Sequence, residues 1–203
     1  MKKLFFIAAT IMLSVTATQA QEVRLGAKGG VNFANLGGDI DDADSRTGFH
    51  IGALVEIPVT ERFSVQPEVL YSAQGAKYEE SGTEAGIDYL FKSDLKLDYI
   101  QVPVMAKFYV AEGFAIEAGP QIGFLASSKA ESESTIGGVT VKDEGDIEDI
   151  ASIDFGLGAG VSYRLPMGVF FGARYNHGLS NINDSGDDKV NNSVFQLSAG
   201  YSF

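Results

Sequence analysis

Three groups of side chains in this chain could act on a ligand, and each can be tested on spacing alone. His177 and Ser180 place a base and a hydroxyl in one short segment, as nucleophilic catalysis needs. Side chains on a strand share a face only at even spacing, so a pair three residues apart points to opposite faces. No nearby carboxylate stands where it would orient the His177 ring, and no catalytic residue is expected there. Glu56 and Glu68 are carboxylates of the kind that divide acid and base work, but structural ion pairs use such residues as readily. The acidic groups Asp39, Asp41, Asp42 and Asp44, Glu131 to Glu133, Asp143 to Asp149, and Asp184, Asp187 and Asp188 suggest cation binding. None has the glycine and closing glutamate spacing of an EF-hand loop, and solvated, mobile surface is the expected role.

Composition narrows the chemistry further. The 203 residues contain no Cys and only two His, His50 and His177, which removes thiolate nucleophiles, disulfides and zinc-thiolate sites. No cofactor or metal site is expected. Lys and Arg number 15 against 27 Asp and Glu, a net charge of -12, which argues against a nucleic-acid surface. Lys2 and Lys3, the apolar run Leu4 to Val15 and the small residues around Ala20 spell a secretory signal, so residues 1–20 are expected to be cleaved and 21–203 to form one domain. The apolar run is too short to span a bilayer as a helix.

The mature chain is written in twos. Val23, Leu25, Ala27, Gly29, Val31 and Phe33 alternate with Arg24, Gly26, Lys28, Gly30 and Asn32, and Phe49, Ile51, Ala53, Val55 and Ile57 alternate with His50, Gly52, Leu54 and Glu56. Similar series start at Phe63, Leu95, Phe114, Ile153, Val169 and Ser193, which makes eight strands. In the fourth, Leu95, Leu97 and Tyr99 share a face before the apolar series moves to Ile100, Val102 and Val104, a slip that predicts a β-bulge near Asp98 or Tyr99. Pro67, Pro103 and Pro120 are expected at bulges or near strand ends.

Connections alternate as regularly as faces. Pro58 to Glu61, Val110 to Gly113 and Leu165 to Gly168 are tight, whereas Asn35 to Arg46, Lys77 to Ser93, Ser128 to Asp149 and Gly178 to Asn191 read as long polar loops. An even strand number, with short turns and both termini at one end, is the pattern of an eight-stranded antiparallel up-and-down transmembrane β-barrel. The competing soluble barrel would put the polar face outside. Side-chain volume decides against it: the apolar face is bulky, and the other is thinned by Gly26, Gly30, Gly52, Gly119, Gly123, Gly156, Gly158, Gly160 and Gly172. An eight-stranded barrel has room inside only for its own side chains, so the thinned face belongs in the lumen.

Four strings sharpen this reading: Gln66-Pro67-Glu68-Val69-Leu70-Tyr71-Ser72-Ala73-Gln74-Gly75-Ala76-Lys77, Leu97-Asp98-Tyr99-Ile100-Gln101-Val102-Pro103, Glu117-Ala118-Gly119-Pro120-Gln121 and Arg174-Tyr175-Asn176-His177-Gly178-Leu179-Ser180-Asn181-Ile182. Together they resemble the PorT-like outer-membrane β-barrel family along essentially the whole mature chain. The resemblance implies a Gram-negative outer-membrane protein. A family member's link to secretion does not transfer on fold alone.

The expected lumen network is Arg24, Lys28, Lys107, Arg164 and Arg174 against Glu56, Glu68, Glu117 and Asp154, a nearly balanced set that plugs the barrel. Tyr201 and Phe203 close the last strand as an aromatic assembly signal. The expected function is a non-catalytic scaffold with periplasmic termini and long extracellular loops, the alternative being a small transporter or channel for a small or apolar solute. Its partners would be outer-membrane lipid, the barrel assembly machinery and an extracellular or periplasmic protein, with the barrel itself a monomer.

Overall fold

A computed structural model describes residues 23–38, 44–84, 86–147, 150–183 and 189–203. The expected leader at 1–20 and the acidic residues Asp39, Asp41, Asp42, Asp149, Asp184, Asp187 and Asp188 lie outside these. Nine strands are present among the described residues: β1 Arg24–Gly38, β2 Asp44–Pro58, β3 Phe63–Glu84, β4 Ile87–Ala111, β5 Phe114–Ile136, β6 Val139–Asp146, β7 Ile153–Arg164, β8 Val169–Gly178 and β9 Val190–Ser202.

Eight of them close a ring. Each pairs antiparallel with its neighbour in the order β1-β2-β3-β4-β5-β7-β8-β9, and β9 returns to β1 through Gly26↔Ser202 to Gly38↔Val190. Closure satisfies the backbone groups that an open edge would leave to lipid. The two-residue alternation is obeyed: Leu25, Phe49, Ile51, Val69, Leu157 and Phe171 on the outer face are exposed, while Lys28, Asn32, His50, Glu68 and Arg174 between them are buried. Such an apolar exterior around a polar interior is the reverse of a water-soluble barrel.

Three expectations are corrected. First, three of the four long loops are largely strand. β3 and β4 run on to Glu84↔Ile87, and β5 runs on to Ile136, where it pairs with the ninth strand, β6, through Lys129↔Asp146 to Ile136↔Val139. Gly137 and Gly138, at φ 57° and 85°, form a two-residue turn between β5 and β6. Positive φ at both central residues is the type I′ requirement that glycine meets without strain. Lys77 to Glu84 and Glu131 to Thr135 are dominated by charged and small polar residues and so read as loop, although Ile87, Tyr89 and Phe91, and then Val139 and Val141, do alternate with polar neighbours.

Second, the β-bulge expected near Asp98 or Tyr99 is present in the β4–β5 ladder, where Asp98↔Ser127 is followed by Tyr99↔Leu125, but its additional residue, Ala126, is on β5 rather than β4. The β3–β4 register passes the same point unbroken, from Leu70↔Gln101 through Ser72↔Tyr99 to Gln74↔Leu97. β4 therefore does not slip. Leu97 and Tyr99 face the lumen, where both are fully buried.

Third, the prolines lie within strands. The β2–β3 ladder steps from Leu54↔Glu68 to Ile57↔Val65 past Pro67, β3–β4 from Pro67↔Val104 to Leu70↔Gln101 past Pro103, and β4–β5 from Pro103↔Gln121 to Ala106↔Ala118 past Pro120. Each missing N–H leaves a local gap in the ladder, and the register is the same on both sides of it.

Candidate functional site: the filled lumen

The short-turn end of the lumen is charged because β1, β2, β3, β4, β5 and β8 all turn long polar side chains inward at that level. Arg174 is the hub. Its Nη1 and Nη2 donate to the two oxygens of Glu68 at 3.0 and 2.8 Å, and its Nε donates to Glu117 Oε1 at 2.8 Å. Lys28 Nζ stands 2.7 Å from Glu68 Oε2, and Gln66 Nε2 donates to Glu68 Oε1 at 2.7 Å. Lys107 bonds Gln66 Oε1 at 3.0 Å and lies 3.5 Å from Glu56, which also accepts from Tyr109 at 2.5 Å and pairs with Arg24 at 3.4 Å. Charges buried in this way persist only when paired and hydrogen-bonded.

Seven of the nine expected network residues are thus brought together. The other two stand apart. Arg164 makes no direct ion pair among the described residues but stands at the short-turn rim beside Arg24 and Tyr109, at the edge of the network, where its backbone N–H donates to Gly113 O at 2.8 Å. Asp154 opens β7 at the opposite end of the lumen, paired with Gly123 in the ladder.

Above the charged layer, along β3, Leu70 comes next and then a neutral polar layer. His50 bridges Asn32 Oδ1 at 2.7 Å and Ser198 Oγ at 2.9 Å, while Asn32 Nδ2 donates to Ser72 Oγ at 3.0 Å. Gln74 donates to Ser72 and accepts from Asn192. The mouth is closed by an apolar cluster of Leu36, Ala76, Leu97, Tyr99, Ile182 and Val190, all buried. Ile182 comes from the segment after β8, folded back so that its N–H donates to Val190 O at 2.9 Å and its carbonyl accepts from Ala151 at 2.9 Å. Sequence reasoning missed this apolar closure, although the shared face of Leu95, Leu97 and Tyr99 was its signal. The space left beside Lys28, Gln66, Lys107 and Arg174 is a cavity of about 20 Å³, room for about one water molecule.

His177 and Ser180 are not partners. His177 Nδ1 lies 3.1 Å from Ser193 Oγ and its ring stacks on Tyr175, whereas Ser180 Oγ accepts from Phe155 N at 2.7 Å. The acidic residues expected as solvated surface are largely exposed on the β3–β6 extension and form surface ion pairs there, Glu131 with Lys96, Glu133 with Lys142 and Glu144 with Lys129, beside a further pair of Glu79 with Lys92. The Lys96 ammonium beside Glu131 holds its carboxyl below the usual range. Tyr201 and Phe203 pack edge to face with ring centroids 5.1 Å apart, and Phe203 N–H donates to Leu25 O at 2.7 Å.

Several solved structures are similar to the chain. The attachment invasion locus protein Ail of Yersinia pestis aligns at 17% identity over 90% of this chain and 100% of its own, with a TM-score of 0.46. Neisserial surface protein A aligns at 16% over 92% and 100%, with a TM-score of 0.48. CarO of Acinetobacter baumannii aligns at 12% over 88% and 97%, with a TM-score of 0.47. No curated protein matches the chain. The family model for the outer membrane protein beta-barrel domain matches residues 19–184, so that the closed ring, its apolar exterior and its filled polar interior all belong to a member of that outer-membrane family.

Proposed function

We propose that the protein is a non-catalytic outer-membrane barrel that is closed to solutes and serves as a rigid base for the β3–β6 extension, whose role is to contact a partner outside the cell. The observation that carries this reading is the filling of the lumen by three unlike layers, charged, neutral polar and apolar, with about one water's volume left among the charges. A conduit for even a small solute would have to break the Arg174–Glu68 pair and expel Ile182. The extension, by contrast, is a four-stranded sheet held by backbone pairing and by ion pairs across β3–β4, β4–β5 and β5–β6. In this orientation the short turns and both chain ends face the periplasm.

The test is reconstitution of the mature protein in planar bilayers, together with cell fractionation. Recovery in the outer membrane with only small, infrequent conductance is the expected result. Large, stable channels would replace this reading with the transporter, and recovery as a soluble periplasmic monomer would end both.

A further inference from the structure

The outer part of the β3–β6 extension has two unlike faces. Ladder partners share a face, so the register groups Tyr78, Glu80 and Gly82 of β3 with Ile87, Tyr89 and Phe91 of β4, Ile136 of β5, and Val139 and Val141 of β6. By the same register this is the face on which Leu97 and Tyr99 enter the lumen, so it looks in over the mouth and away from the lipid around the ring. Tyr78, Ile87, Phe91, Ile136, Val139 and Val141 are 37–68% exposed on it. A continuous apolar surface turned to water marks a binding face.

Charge is sorted between the two faces as well. Every lysine of the extension, Lys77, Lys92, Lys96, Lys129 and Lys142, stands on the opposite face, where four of the five pair with Glu79, Glu131, Glu133 and Glu144. The charged residues that the register places on the apolar face, Glu80, Glu84 and Asp143, are all acidic. Glu80 and Asp143 are exposed, and neither makes an ion pair among the described residues. Aromatic groups frame Glu80 instead. The Tyr78 and Tyr89 hydroxyls donate to its two oxygens at 3.1 and 3.4 Å, and the Tyr78 and Phe91 rings meet edge to face with centroids 6.3 Å apart. Tyr89 lies over Gly82, where a Cβ would meet its ring at 2.8 Å. Glu80, Tyr89, Phe91, Ser134 and Ile136 border a hollow of about 490 Å³, room for a long side chain.

We propose that this face binds a cationic, apolar polypeptide segment of the partner, with one Lys or Arg side chain seated against Glu80 and the rings of Tyr78, Tyr89 and Phe91, and a second cation at Asp143. The inference rests on the extension being the contact element and names the chemistry of what it contacts. An ammonium or guanidinium over aromatic rings, beside a carboxylate that has no cation of its own, gains from both. Glu80 on β3 and Asp143 on β6 are three strand spacings apart, about 14 Å, which a single small cation does not bridge and about four residues of extended chain do. A face without Lys or Arg is a poor seat for phosphate, sulfate or anionic lipid.

The test uses the full mature barrel in phosphatidylcholine nanodiscs, with empty discs as the blank. The probes are labelled peptides of equal length built from Phe and Lys, from Phe and Glu, or from Ser and Lys. The Phe/Lys peptide should bind about tenfold tighter than either of the others and weaken as NaCl is raised. Glu80→Gln and Phe91→Ser should each weaken it about fivefold or more, and Glu79→Gln, on the opposite face, should leave it unchanged. No binding above the blank would overturn the proposal. So would equal binding of the Ser/Lys peptide, or a loss in Glu79→Gln as large as that in Glu80→Gln. Dimers in sedimentation that Phe91→Ser abolishes, with no peptide bound, would assign the face to a second copy of the chain and overturn it too. Should Phe91→Ser not refold, the wild-type peptide comparison and Glu80→Gln still decide. Bilayer conductance and removal of residues 131–148 test the underlying reading separately, so its failure is told apart from failure of this one.

Discussion

Arg174 on β8 and Glu68 on β3 meet in two parallel hydrogen bonds of 3.0 and 2.8 Å although 106 residues separate them in the chain. Such a fork joins opposite walls of the barrel in one fixed geometry that lysine could not reproduce.

Replacing Arg174 by Met should therefore cost about 3–5 kcal/mol, because Glu117 loses its ion-pair partner and Glu68 keeps Lys28 as its one ion pair beside the Gln66 amide. Lys28→Met should cost clearly less, since Glu68 retains both bonds to Arg174. Equilibrium urea unfolding of the two variants in detergent gives the order, and equal losses would show that the fork is not the stronger contact.

Leu97 sits at zero exposure in the apolar closure, so Leu97→Ala should lower stability by about 2–5 kcal/mol. Its conductance should stay at the wild-type level, because the charged layer below it is untouched. A stable channel in this variant would mean that the apolar cluster alone seals the lumen.

Removing residues 131–148 takes away β6 and the outer part of β5 but spares every β5–β7 pair, which run from Phe114↔Tyr163 to Phe124↔Ile153. The shortened barrel should fold, keep its heat-modifiable mobility on gels, and lose partner binding. A protein that no longer inserts would show that the extension is part of the folding unit.

Phe203 contributes one exposed ring and one backbone bond at the end of the chain. Deleting it should cost less than about 3 kcal/mol in refolding by burial alone, yet sharply reduce accumulation in the outer membrane. Equal membrane levels of mutant and wild type would remove the assembly role.

These contrasts also explain what could be read from the chain. Where Ile51 meets lipid and His50 meets the lumen, environment alternates with every residue and so does polarity, and the eight ring strands are legible. Along Lys77 to Glu84 charged and small polar residues predominate and hid the strand, whereas Ile87, Tyr89 and Phe91 and then Val139 and Val141 carried a short alternation that marked β4 and β6. Gly137-Gly138 was the available hairpin signal. Leu97 and Tyr99 misled for a different reason: the reading that apolar means outward fails at a lumen mouth closed by apolar side chains. The positions of Arg164 and Asp154 were not legible, since face assignment by parity says which residues point inward but not how far along the axis they stand.

Beyond Lys77, where β2 ends its pairing, β3 continues for seven more residues to Glu84, a rise of about 25 Å at the strand repeat. Because β4 and β5 are paired alongside through an unbroken register above Ala126, that length is a beam with a fixed root rather than a tether. Anything touching the turn at Gly137-Gly138 is held at a set height and heading above the membrane, and a force applied there is delivered as a bending moment to the barrel wall beside the Ala126 bulge.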